Sequence, residues 1–505
     1  MAGVSEKQQK SQSRSQPSPE AFRSFISSGW TPRSDATPAR AAVADFAAER
    51  RSAVSEAFPG ERLVIPAGGL KVRSNDTDYI FRPHSAFAHL TGLGADREPD
   101  AVLVLEPRDG GGHDTVLYFR PLAGRDTEEF FADSRYGEFW VGSRPTIEDI
   151  EAELGVIARH IDEFTDAVAK DAGEIGVRVV RDADAEVTET VDKARAAEAE
   201  AESASEQRLE ADAELGRVLS TLRLIKDAFE IEQMRQAVNA TGEGFDAVIA
   251  ELAEAVRRGR GERWVEGVFG LHARHRGNGV GYESICAAGD HANTLHWIKN
   301  TGDVHEDDLV LLDAGVEVDS LYTADITRTL PVDGTYDEAQ RKVYEAVYAA
   351  QQAGIAAVKP GNKFSDVHAA AIRVIAEHLH EWGLLPDGVD VEGTLDKENG
   401  QFHRRWMVHG TSHHLGIDVH DCALALREDY MDAELKPGMI LTVEPGLYFK
   451  ADDELVPEEL RGIGVRIEDD VLVTEDGHEV LSAHIPSKAD DVEAWIARVQ
   501  ADSKA

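Results

Sequence analysis

The sequence predicts an α/β domain over residues 41–185, followed across an acidic helical linker (186–221) by a larger α+β domain over 222–505. Three observations carry this reading. The 505-residue chain exceeds one ordinary core of roughly 100 to 200 residues. In the first part, short β-branched runs alternate with polar, helix-like stretches. In the second, two helical pairs are each followed by strand-like runs.

Taken in order, residues 1–40 are rich in Ser, Gln, Pro and Arg and poor in large apolar side chains. Such a composition buries too little surface to offset the entropy of ordering, so a disordered tail is expected. Its beginning, "MAGVSEKQQKSQSRSQPSPEAF", lacks the apolar core of a signal peptide. No run in the chain reaches the roughly 18 apolar residues of a membrane span, so a soluble cytoplasmic protein is expected.

From "RLVIPAG" (Arg62 to Gly68) onward, "AVLVLEP" (Ala101 to Pro107), "TVLYFRP" (Thr115 to Pro121) and "EIGVRVV" (Glu174 to Val180) read as strands. Between them lie helix-like stretches such as "TIEDIEAELG" (Thr146 to Gly155), the pattern of a compact α/β domain. No Gly or Pro falls between Gly176 and Gly216, and "DKARAAEAEAESASEQRLEADAEL" (Asp192 to Leu215) is built of good helix formers with little apolar stripe. A solvated helix joining the two domains is expected.

The second domain opens with helical periodicity in "LRLIKDAFEIEQMRQAV" (Leu222 to Val238) and "GFDAVIAELAEAV" (Gly244 to Val256). A similar order recurs over Val343 to Leu379, with "AVRRG" (Ala255 to Gly259) and "AVKPG" (Ala357 to Gly361) in corresponding places between two helices. "DLVLLDAG" and "ADITRTLPV" follow the first pair, and "MILTVEPGLYF" and "GVRIEDDVLV" the second, which suggests an internal repeat.

Charge and cysteine content exclude several functions. A formal charge of −41, from 94 acidic and 53 basic residues, does not suit nucleic-acid phosphates or an anionic membrane. The two cysteines, Cys286 and Cys422, form no CxxC and no zinc-ribbon spacing, so neither a disulfide scaffold nor a thiolate metal site is indicated. A reducing compartment fits this usage.

The chemistry is legible in acidic residues that sit inside strands. Asp313 ends "LVLLD", and Asp325 lies in "YTADITRT". A chain reversal near "VDS" (Val318 to Ser320) would bring the two face to face across a hairpin, which is unfavourable unless a positive charge lies between them. Glu444 follows "MILTV", and alternation in "GVRIEDDVLV" puts Arg466, Glu468 and Asp470 on one face, opposite Val465 and Ile467.

Buried carboxylates must be paired, protonated or bound to cations, and too few Lys and Arg lie nearby to pair them all. A metal site follows. Oxygen ligands with one or two imidazoles suit Mn, Mg, Co or a similar ion, and two divalent ions would balance the four carboxylates. Such ions, roughly 3.5 to 4 Å apart, turn a bridging water into hydroxide near neutral pH and polarise a carbonyl, the equipment of a hydrolase.

The stretch "VHGTSHHLGIDVHD" (Val408 to Asp421) holds His409, His413, His414 and His420. His409 and His413 have the spacing of a helical HExxH site, but no Glu follows His409 and the glycines disfavour a regular helix. One histidine is expected to complete the metal shell and others to hold or shuttle protons. His414 is left unassigned.

With these residues in place, the second half resembles the pita-bread (creatinase/aminopeptidase-like) metallopeptidases, and within them the Xaa-Pro aminopeptidase, or aminopeptidase P, family. The resemblance rests on "TLHW" around His296, "LLDAGVEVDSLYTADITRT", "HGTSHHLGIDVHD", "LTVEPGLY" and "RGIGVRIEDDVLVT", in the family's order between Tyr282 and Thr474. It implies metal ligands Asp313, Asp325, His413, Glu444 and Glu468, with Asp325 and Glu468 bridging two ions, Mn being usual. It further implies that His296, His409, His420 and Tyr282 line the substrate site. Glu444, His296 and His420 would serve catalysis, with Arg466 behind the ligands.

The family's reaction releases an N-terminal residue that precedes proline. Peptides of that kind are the implied partners, and a homo-oligomer is expected. The spacing from Asp313 to Asp325 is one residue longer than the family's commonest, and "DGVDVEGTLDKENGQFHRR" (Asp387 to Arg405) resembles an insertion. Prolidase, limited to Xaa-Pro dipeptides, is the nearest alternative. Methionine aminopeptidase normally lacks the N-terminal domain, creatinase lacks the ligands, and a non-catalytic peptide-binding module has no need to keep them.

Overall fold

The β-branched runs of the N-terminal part form one five-stranded mixed sheet. Its order is Ile157–His160, His113–Phe119, Val102–Pro107, Arg62–Pro66, Val177–Val179, with the two outer pairs parallel and the inner pairs antiparallel. The structure, a computed structural model, describes residues 18–33, 36–196 and 202–502. The remainder of the expected tail (1–17 and 34–35) and of the expected linker (197–201) lies outside the described residues.

Val64, Val104, Val116, Phe164, Val177 and Val191 belong to one core cluster, in which the sheet meets the helices Phe164–Ala169 and Ala185–Arg195. Local signals set the helix ends. Thr146 and Asp149 form a capping box at the start of Ile147–Leu154, and Gly155 stops the helix in the left-handed region at φ 67°. Within the expected tail, Glu20–Ile26 is helical.

The chain divides into two compact units, and sequence order does not fully sort them. The first comprises Met1–Asp45, Phe58–Leu70 and Glu98–Ala201. The second comprises Phe46–Ala57, Lys71–Arg97 and Glu202–Ala505.

In the second unit, Asp227 and Glu230 form the capping box that starts the long helix Ala228–Arg258. The helix packs against Gly261–Arg276, and Glu338–Ala357 packs in the same way against Phe364–Glu381. Each pair precedes an antiparallel three-stranded sheet: Ile326–Pro331, Leu309–Ala314, Ile285–Ala288 after the first, and Ile440–Val443, Asp469–Thr474, Gly477–Val480 after the second. The recurrence read in the sequence therefore appears as two helix-pair-and-sheet layers.

Cys286 and Cys422 are both buried as free thiols. Among the described residues, no helix is long and apolar enough to cross a membrane.

Candidate metal centre

The central hairpin differs from the sequence expectation in its register. Asp313 pairs with Thr327 and Ala314 with Ile326, so the reversal centres on Ser320 and not one residue earlier. A wider turn causes the difference: Leu321 N–H donates to Val318 O at 2.8 Å, Val318 N–H to Tyr322 O at 3.0 Å, and Leu321 takes φ 75°. Asp325 stands two residues from Thr327 and so shares the Asp313 face as a diagonal neighbour. The diagonal places the like charges farther apart than direct opposition would. Below the turn the strands close tightly, and a Cβ on Gly315 would lie 1.6 Å from Ala324 O.

Two further segments converge on that face. Thr442 N–H donates to His413 O at 3.0 Å, and His413 N–H donates to Thr442 Oγ1 at 3.1 Å. Glu444 N–H donates to Thr411 O at 2.8 Å, so the histidine loop is laced to the end of the strand that delivers Glu444. Glu468 follows Gly464–Arg466 and is tied to the hairpin, its N–H donating to Thr327 O at 3.1 Å.

All five expected ligands meet there. Among the described residues, Asp325, His413 and Glu468 each offer a ligand atom, all within 4.8 Å of one another. His413 Nε2 lies 3.3 Å from Asp325 Oδ2 and 3.8 Å from Glu444 Oε1. Asp313 joins through Tyr282, whose hydroxyl is 2.7 Å from Asp313 Oδ1 and also meets Asp325 Oδ1. Arg466 Nη2 donates to Asp313 Oδ2 at 2.5 Å.

One guanidinium does not balance this charge. Burial first, then repulsion from neighbouring carboxylates, raises the proton affinity of Glu468 far above the usual range, and Asp470 responds in the same way. Glu444 rises to about 7, chiefly by burial, with Asp325 adding to the shift and His413 opposing it. Asp313 is raised by burial and Asp325, although Arg466 opposes the shift. Burial would lower His413, but Asp325 and Glu444 outweigh it and lift the imidazole to about 9. A buried cluster of oxygen donors with one imidazole, holding protons above their ordinary pKa, is the donor set of a hard divalent cation.

The remaining histidines separate by environment. His409 Nδ1–H donates to Gly410 O at 2.6 Å, leaving Nε2 to accept from the Tyr448 hydroxyl at 2.7 Å. Burial, then Arg466, lowers its pKa to about 3, so the ring is neutral. His420 is exposed, with its ring centroid 4.5 Å from that of His413 in an edge-on contact. His296 is also exposed, and its charge is among those that lower His409 and His420, which puts the three in one group. His414 is fully buried, stacked on Phe364 and edge-on to Tyr430, and belongs to the core.

The structure adds three neighbours that the sequence reading did not assign. Thr327 Oγ1–H donates to Glu468 Oε2 at 2.7 Å and accepts from Arg466 Nε at 3.3 Å. Tyr448 accepts from Arg466 Nη1 at 3.0 Å and so links Arg466 to His409. Asp470 Oδ2 accepts the Asp325 N–H at 3.2 Å. Thr327 and Asp470 each lie two residues from a ligand, so strand alternation carried a signal for both.

Comparison with known proteins agrees with this site. Residues 232–475 match the sequence profile of metallopeptidase family M24, and residues 47–177 that of the aminopeptidase P N-terminal domain. Xaa-Pro aminopeptidase 2 of Streptomyces coelicolor is 50% identical over 478 residues, covering 94% of this chain and 95% of the relative. The Escherichia coli Xaa-Pro aminopeptidase is 33% identical over 465 residues, covering 89% of this chain and 97% of its own. Among solved structures, Pseudomonas aeruginosa aminopeptidase PepP superposes with a TM-score of 0.77 at 29% identity, over 90% of this chain and 98% of that one. Proline aminopeptidase P II from Yersinia pestis gives 0.76 at 31% identity, over 90% and 99%. These matches identify the C-terminal unit as a pita-bread domain behind an aminopeptidase P-type N-terminal domain. The chain belongs to metallopeptidase family M24, in its aminopeptidase P group, and is a metallo-aminopeptidase.

Proposed function

We propose that the enzyme releases the N-terminal residue from peptides with proline in the second position, using two divalent ions, Mn by preference. Asp313, Asp325, His413, Glu444 and Glu468 would hold the ions. The single observation that carries this is the buried carboxylate cluster whose charge Arg466 alone does not offset. The printed names of the relatives, Xaa-Pro aminopeptidases at up to 50% identity, support the substrate class.

When bound, the ions supply a nucleophile from water near neutral pH and polarise the scissile carbonyl. The chain's own residues do the rest. Glu444, next to His413, would take the proton of the attacking water and pass it to the leaving nitrogen. His296 and His420, on the exposed side, would donate to the carbonyl oxygen as charge develops on it. His409, fixed by Tyr448 and Gly410, and Tyr282 would form the wall against which the residue after the cut rests. Arg466 secures Asp313 from behind. An Xaa-Pro bond lacks an amide hydrogen, so recognition falls to such walls and not to a grip on N–H.

The test is an assay with Mn on an Ala-Pro-Pro-type tripeptide and a Gly-Pro-type dipeptide. Release of the first residue from the tripeptide is expected; cleavage confined to the dipeptide would make the enzyme a prolidase, and binding without cleavage would overturn the enzymatic reading. A cytoplasmic setting is supported by two buried thiols that form no disulfide. The homo-oligomer is checked by light scattering of the purified protein.

A further inference from the structure

We infer that Glu262 is the positioning residue for His296. The inference rests on the assignment of His296 to the substrate site. Glu262 opens the helix Gly261–Arg276, has 0% relative exposure, and takes no part in the chemistry described above. Its carboxylate oxygens accept four hydrogen bonds. Oε1 takes Ala288 N–H at 2.9 Å and His291 Nδ1–H at 2.7 Å, while Oε2 takes Trp297 Nε1–H at 2.9 Å and Gly302 N–H at 2.5 Å.

All four donors come from the strand end and loop that carry His296, and together they fill the carboxylate's lone-pair sites. Because a carboxylate only accepts, it also fixes the His291 proton on Nδ1. The two rings it holds stack on each other, with centroids 3.9 Å apart and planes at 22°.

The fit around this carboxylate is close on every side. A Cβ at Gly302 would lie 2.8 Å from Glu262 Cδ and 2.8 Å from His291 Cε1, so the approach requires glycine there. Glu262 N–H donates back to Gly302 O at 3.3 Å, which closes a reciprocal pair across the loop mouth. On its far side Trp297 packs against the small cluster of Ile285, Ala287, Ala292 and Leu311, two residues along the strand from Asp313. His296 immediately precedes this doubly anchored indole and is itself exposed. Its direction relative to the ligand cluster is therefore set by what holds Trp297. One buried carboxylate does so from the helix start, by one bond to the indole N–H, by a second to the His291 ring stacked on it, and by two more to the backbone on either side of this loop. Displacing a catalytic group by about 1 Å costs on the order of 10² in rate, so this anchor acts on turnover.

The experiment uses the full-length protein loaded with Mn and compares kcat and KM on an Ala-Pro-Pro tripeptide for wild type, Glu262→Gln, His296→Ala and the double variant. Glu262→Gln places an amide NH2 against two of the four donors. A fall in kcat of at least tenfold is expected, with Mn stoichiometry and affinity by calorimetry unchanged. In the His296→Ala background the same substitution is expected to have less than a twofold effect, because its route of action is gone. A double variant that loses the product of the two single effects would overturn the link while leaving His296 in its role. Wild-type kcat in His296→Ala would overturn the role of His296, and the inference with it. If Glu262→Gln does not fold, Trp297→Phe removes one donor and keeps an aromatic ring; a several-fold loss of kcat that vanishes in the His296→Ala background is then expected, and additivity refutes the proposal.

Discussion

Two buried acidic sites in the C-terminal unit, one a single carboxylate with two cations and the other a group of carboxylates, have opposite electrostatics. At Asp421, Arg223 Nε donates at 2.9 Å and Lys226 Nζ stands 3.7 Å away, all three side chains being buried. Burial pushes the Asp421 pKa up, but Arg223 and Lys226 outweigh it and the net shift is downward. At the ligand cluster, Asp313, Glu468 and Asp470 are buried and Glu444 is mostly so, and all shift upward. Burial is common to both, so the difference lies in positive charge. The first site has its cations in the sequence, and the second, on the reading proposed above, would take them from solution.

The sharpest break of that contrast is Asp325→Ala. It removes the carboxylate at the middle of the ligand cluster, and a loss of kcat of about 10³-fold or more is expected, several kcal/mol of transition-state stabilisation. The metal-free variant is expected to melt above the metal-free wild type, since one member of a like-charged group is gone. Activity and thermal scans of both proteins decide this.

The mirror experiment is Asp421→Asn, which leaves Arg223 and Lys226 buried without their anion. Breaking a buried pair from one side costs about 3 kcal/mol or more, read as a lower denaturant midpoint with or without metal. Chelation separates the clusters again. Mn at about 100 times its dissociation constant is expected to stabilise wild type by about 2.7 kcal/mol, and Asp325→Ala by far less.

Acidity provides a gentler test with opposite signs in the two clusters. Glu444 and His413 have folded pKa values raised to about 7 and about 9. Their contribution is therefore complete below their ordinary values of about 4.3 and 6.5 and is lost as pH rises through the folded ones. Metal-free protein should lose stability between about pH 5 and 9, a decline that Mn abolishes by replacing the protons. Asp421 is depressed, so its contribution is present above about pH 3.9 and is lost on acidification below it, with or without metal. The smallest change expected is from Thr327→Val, which removes the hydroxyl between Arg466 and Glu468. About 1 kcal/mol is expected, as a several-fold weaker Mn affinity in a calorimetric titration.

The proposed ligands stand out in the sequence because a carboxylate inside an apolar strand run conflicts with its surroundings, and Asp313, Asp325, Glu444 and Glu468 all carry that conflict. The hairpin register was one step off because the turn uses Leu321 at positive φ, a conformation that an aliphatic residue does not advertise. Tyr448 was missed because it is an ordinary strand residue whose importance comes from its partners elsewhere, and for Thr327 alternation marks the shared face but not the partners that give it a role. The division into units was only partly legible. Phe46–Ala57 and Lys71–Arg97 belong with the second unit through tertiary packing, for example Arg50 with Asp227 and Arg82 with Glu317, and these pairs are more than 170 residues apart.

The two buried thiols fall one to each cluster. Cys286 pairs with Leu312, the residue before Asp313, and Cys422 directly follows Asp421. Burial raises both pKa values, Cys422 to about 12 and Cys286 well above the ordinary thiol range, so neither reacts while its surroundings stay closed. Each therefore works as a stopwatch for local opening: a thiol reagent counts how often the strand under the ligand cluster parts at Cys286, and how often the Arg223–Lys226 clamp releases at Cys422. One unmodified chain thus times both clusters in a single labelling experiment.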